Sequence, residues 1–108
     1  MTAGAPEDYL DGYADLLAAA SATGRRLTRD ELDTRRTLGE RAAEEGYGLR
    51  RLVAAHLAAT RAAWPCGNAP ADSVLAVAEQ AVDAFAEGYE RAQRLAVRQE
   101  EAARREFI

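Results

Sequence analysis

Ala71-Asp-Ser-Val-Leu-Ala-Val-Ala-Glu-Gln-Ala-Val-Asp-Ala-Phe-Ala-Glu-Gly-Tyr-Glu-Arg-Ala-Gln-Arg-Leu-Ala-Val-Arg-Gln-Glu-Glu-Ala-Ala-Arg-Arg-Glu-Phe-Ile108 reads as one unbroken helix, and that reading decides the fold. Asp72 or Ser73 supplies the cap at its start. No proline interrupts it, and no Gly or Asn near Ile108 closes it. At 1.5 Å per residue it is roughly 55 Å long. A compact domain of this size is only roughly 35 Å across, so part of the helix must overhang. Ala78, Val82, Phe85, Tyr89, Ala92, Ala96, Gln99 and Ala103 alternate spacings of four and three, a heptad-like seam. The open end predicts that residues 1–108 are one helical domain at the N-terminus of a longer protein.

Three shorter helices precede it. Pro6, Glu7 and Asp8 suit a first turn, and Tyr9, Leu10, Tyr13, Leu16 and Leu17 recur at helical spacing, predicting a helix from about Pro6 to Ala20 with Gly24 as stop. Thr28 with Glu31 forms a capping-box pattern. The second helix should run from there to about Glu45, stop at Gly46, and carry a thin apolar stripe of Leu32, Leu38, Gly39 and Ala42. That makes it the most solvated of the four. The third should span Leu49 to Trp64, closed by Pro65. Leu49, Leu52, Val53, His56, Leu57, Thr60, Ala63 and Trp64 form its stripe. There is no strand pattern. The expected fold is all-α, a four-helix bundle with a long C-terminal helix.

Composition narrows the function. Hydrophobic residues make up 48% of the chain, but half of them are alanine, so helices pack closely while burying little area each. Marginal stability follows, and self-association would relieve it. The net charge of −4 and a pI near 5.0 argue against a general nucleic-acid or anionic-membrane surface. All 14 basic residues are arginine, a bias that resembles GC-rich bacteria such as actinobacteria. One cysteine, Cys66, leaves no internal disulfide or Cys-based zinc site; it sits beside a helix C-terminus, where a thiolate is not favoured. No apolar run approaches a membrane span and no signal peptide is present, so the expected location is the cytoplasm.

The residues offer little for catalysis. His56 is the one histidine; a haem or metal site would need a second, correctly spaced donor, and no cofactor is called for. Carboxylates fall in surface clusters such as Asp30, Glu31 and Asp33, with arginines three or four positions away. Gly46-Tyr-Gly48 is too short to cradle a phosphate. Ala42, Gly46 and Leu52 have the spacing of a helix-turn-helix, with Arg50 and Arg51 opening the recognition helix; Arg41 and Glu45 stand where that motif wants apolar residues.

The stretch Leu38-Gly-Glu-Arg-Ala-Ala-Glu-Glu-Gly-Tyr-Gly-Leu-Arg-Arg-Leu-Val-Ala-Ala-His-Leu-Ala-Ala-Thr-Arg-Ala-Ala-Trp64 resembles the helical N-terminal domain shared by RsbR-type stress regulators and actinobacterial PucR-type transcriptional regulators. Glu100-Glu-Ala-Ala-Arg-Arg-Glu-Phe-Ile108 resembles the junction from which such regulators continue. The resemblance spans about residues 8–108. It implies a non-catalytic sensory and dimerisation module, with the DNA-binding domain downstream. Some related domains are globin-like without haem. The N-terminal partner-binding domains of protein-phosphatase-2C-type enzymes in anti-sigma pathways are similar too.

These readings predict a homodimer formed along the long helix, with helix one contributing. Phe85, Tyr89, Ala92, Leu95 and Ala96 are the expected interface. Leu52, Val53, His56, Leu57 and Trp64 are the expected core or pocket. The module would contact neither nucleic acid nor membrane directly, and any small-molecule ligand is left open.

Overall fold

The computed structural model describes residues 4–64 and 69–106. Among these it is all-helical, as expected, with four α-helices: α1 Tyr13–Thr23, α2 Arg29–Glu44, α3 Leu49–Ala62 and α4 Ala71–Glu106. Pro65, Cys66 and the terminal Phe107 and Ile108 lie outside the described residues.

Local chemistry sets most helix ends. Thr28 Oγ1 accepts from the Glu31 amide at 3.1 Å, while the Glu31 carboxylate accepts from the Thr28 amide at 2.8 Å. This is the reciprocal cap predicted from the spacing. Gly24, at φ 68°, closes α1 in a left-handed conformation that a side chain would resist. The first predicted helix is interrupted, however. Pro6–Tyr9 form a single 3-10 turn, and α1 starts only at Tyr13 because Gly12, at φ 78°, turns the chain between them. Gly12 was the available signal for that break.

α2 corrects another expectation. It is not the most solvated helix but the one joined most closely to α4. Arg35, Leu38, Gly39 and Ala42 are all buried. Gly39 of α2 and Gly88 of α4 sit at the crossing. A Cβ on Gly39 would collide with the Phe85 carbonyl, and one on Gly88 with the Arg36 carbonyl. The stripe that looked thin is narrow because the two backbones almost touch. Arg36 reaches Glu87 across the contact, and Arg91 lies 3.8 Å from Glu40.

Two apolar clusters make the core. Tyr13, Leu16, Leu17, Ala20 and Leu27 meet Val74, Val77 and Ala81 at one end. Tyr9, Leu38, Ala42 and Leu52 meet Phe85 and Tyr89 at the other. α3 joins through a narrow face, with Leu52, His56 and Thr60 buried at spacings of four. Its start packs near the middle of α4, and Ala59 and Ala63 near its beginning, so α3 and α4 form an antiparallel hairpin.

The predicted overhang is present. The molecule is 62 Å long and 32 Å wide, with a radius of gyration of 16.2 Å. A compact chain of this length would have about 13 Å. Past Tyr89 only Ala92 is even half-buried, and Arg91 to Glu106 otherwise stands in solvent. That is roughly 24 Å of unsupported helix.

Candidate functional site

The core contains one polar centre, placed where the two apolar clusters meet. His56 from α3 is fully buried, with the Tyr13 ring 5.2 Å away on one side and the Phe85 ring 4.7 Å away on the other, both edge-on. Its Nδ1 lies 2.8 Å from the Leu52 carbonyl. A carbonyl only accepts, so Nδ1 carries the hydrogen and Nε2 is left with its lone pair. Tyr13 Oη and Thr60 Oγ1 are 2.6 Å apart, and Thr60 donates to the His56 carbonyl at 2.7 Å.

Arg35 completes the centre from α2. It is buried, and one of its terminal nitrogens donates to the Asp11 carbonyl in the turn before α1. Among the described residues, the buried side-chain nitrogens without a hydrogen-bond partner are Arg35 Nε and Nη1 and His56 Nε2. Burial first, and then the positive charge of Arg35, lowers the His56 pKa below its ordinary 6.5, so the ring is neutral near pH 7. Burial likewise raises the Tyr13 phenol and lowers the Arg35 guanidinium. The centre therefore holds a neutral imidazole, an intact phenol and a guanidinium that the nearby charge of Asp11 offsets only in part. None of its side chains is a carboxylate, and the unpartnered His56 Nε2 is sealed from solvent.

The sequence missed Arg35. The available signal was its register, three and four residues before Leu38 and Gly39 on the buried stripe of α2.

The structure divides the predicted core residues. Leu52 and His56 are fully buried, while Val53 is half-buried. Leu57 is 62% exposed and Trp64 39% exposed, so neither belongs to the core. α3 turns Leu52, His56 and Thr60 into the body, with Leu49 and Ala59 beside them, whereas Leu57 and, past the helix end, Trp64 face away. The helix also ends at Ala62, before Trp64.

The predicted interface divides as well. Phe85 and Tyr89 are buried inside the chain's own core, against Leu38, Ala42 and Leu52, and the Tyr89 hydroxyl donates to the Tyr47 carbonyl at 2.6 Å. They cannot meet a second chain without unfolding the first. Ala92 is half-buried, and Leu95 and Ala96 are exposed, on the overhang. An open groove of about 850 Å³ runs between this part of α4 and the end of α2, lined by Ala43, Glu44, Ala92, Ala96, Val97 and their neighbours.

Among the described residues, no group of three or more His, Cys, Asp or Glu is placed to hold a metal ion, and no helix is long and apolar enough to cross a membrane. Comparison with protein families, characterised proteins and solved structures finds no match to this chain.

Proposed function

We propose that this chain is a non-catalytic sensory and dimerisation module of a bacterial transcriptional regulator, passing a signal through α4 to a downstream effector domain. The observation that carries the reading is the overhang. α4 is anchored in the body by Val74, Val77, Ala81, Phe85 and Tyr89, and then continues alone from Arg91 to Glu106. An isolated helix of that length is marginal in water, so its apolar residues Ala92, Leu95 and Ala96 call for a partner. A rigid helix rooted in a sensor core is also a lever: any change in how the body sits is transmitted along it.

The resemblance of Leu38–Trp64 and of Glu100–Ile108 to RsbR-type and PucR-type regulators supports the same role. A cytoplasmic location fits this role, because an effector acting on a promoter works there. A signal can shift such a module only by binding two arrangements of the dimer with different affinity. The unpaired nitrogens of Arg35 and His56 make the interior polar centre a costly and therefore adjustable point between α1, α2 and α3.

Sedimentation velocity on the chain tests the reading. It expects a dimer at tens of micromolar; a monomer throughout that range would sink the dimerisation role.

A further inference from the structure

We infer that a second copy of the chain docks on the outer face of the α3–α4 hairpin, each α3 lying over the partner's α4. The inference rests on the dimerisation reading above and adds the surface that mediates it.

Among the described residues, three large apolar side chains are exposed on the body part of this hairpin, before the overhang: Leu57 from α3, Trp64 just past its end, and Leu75, 57% exposed, from α4. Leu57 lies on the exposed flank of α3, and Trp64 follows just past the end of that helix. Large apolar side chains exposed beside charged ones are what association surfaces carry.

Charge selects the occupant. α3 carries Arg50, Arg51 and Arg61 and no carboxylate at all. The body half of α4, from Ala71 to Glu90, carries five carboxylates, Glu79 and Glu90 among them, and no basic residue. Each hairpin thus presents a basic apolar helix beside an acidic one, on a chain whose overall balance is acidic.

Two such faces can meet in two symmetric ways. With α3 on α3, arginines face arginines and carboxylates face carboxylates, which opposes association. With α3 on the partner's α4, both charge sets are complementary. The antiparallel register of the hairpin then brings Arg61 beside the partner's Glu79 and Arg50 beside the partner's Glu90. This arrangement needs a two-fold axis running along the helices. Such an axis keeps both copies of α4 pointing the same way, so the two overhanging segments leave from one end, as a pair of levers serving one effector must.

Sedimentation equilibrium on the chain and four variants tests this. Leu57→Glu is expected to weaken the dimer at least about tenfold. Arg61→Glu and Glu79→Arg are each expected to weaken it severalfold. The double variant Arg61→Glu/Glu79→Arg should recover most of the loss, because the pair is re-formed between chains. Leu57, Arg61 and Glu79 are all solvent-exposed, so circular dichroism should show unchanged folding, and any variant that unfolds is replaced by Leu75→Glu, at a position also exposed. A dimer indifferent to Leu57→Glu and Leu75→Glu, or one in which the double variant is additive, overturns the docking face and leaves the dimerisation reading intact. A wild-type chain that stays monomeric overturns both.

Discussion

Gly39 of α2 and Gly88 of α4 meet backbone to backbone, each closing on a carbonyl of the other helix, Phe85 and Arg36 respectively. This contact sets how near the two helices lie, and through that how deeply Phe85 and Tyr89 are inserted. An alanine in the interior of a helix normally stabilises it by about 0.5–1 kcal/mol relative to glycine. Here the sign must reverse, because a methyl group has no side chain to displace, only main chain. Gly39→Ala and Gly88→Ala should each destabilise by at least the about 1–3 kcal/mol typical of overpacking. Urea denaturation checks this, and a stabilised variant would refute the close crossing.

Phe85 and Leu95 were alike as expected interface residues but differ in place. Phe85 is buried in the chain's own core and Leu95 is 52% exposed on the overhang. Phe85→Ala should cost about 3–5 kcal/mol of folding stability. Leu95→Ala should stay within about 0.5 kcal/mol. Thermal or chemical unfolding at one protein concentration distinguishes the two.

His56 predicts a pH dependence. Its folded pKa lies below the ordinary 6.5, because burial and Arg35 disfavour the imidazolium. The unfolded chain therefore binds a proton first as pH falls. Stability is complete above pH 6.5 and declines below it, by at most about 1.4 kcal/mol per pH unit from this one group. His56→Gln should lower stability overall, through lost ring contacts, yet flatten the slope just below pH 6.5. An unchanged slope in the variant would assign it to other groups.

Glu31 acts in a lower window. Paired hydrogen bonds from Arg25, both 2.9 Å, and then the Thr28 amide lower its carboxyl from the ordinary 4.5 to about 2. Its contribution is present above pH 4.5 and is lost as pH falls from there towards 2. Glu31→Gln should remove that part of the acid transition, read by circular dichroism. Thr28→Ala should cost about 0.5–2 kcal/mol at neutral pH.

The start of α2, the stop of α1 at Gly24, the single break-free α4 and its overhang were all legible in the sequence. Each depends on groups within a turn of one another, such as Thr28 with Glu31, or on the fixed rise of a helix. The polar centre was legible only in part. His56 stood out as the lone histidine on an apolar stripe, but Arg35 lay hidden among eight other charged residues of its helix.

Tertiary structure decided which arc of each stripe is used. The α3 stripe spans more of the helix than one neighbour can cover, so spacing could not say that Leu52, His56 and Thr60 go inward while Leu57 and Trp64 stay out. Nor could the α4 seam say where its cover ends. That limit is set by α2, whose backbone comes close enough at Gly39 and Gly88 to bury Phe85 and Tyr89, and which stops at Glu44, leaving Leu95 uncovered. Helix ends follow from neighbours along the chain. The choice between core and surface follows from contacts tens of residues apart, which no local pattern contains.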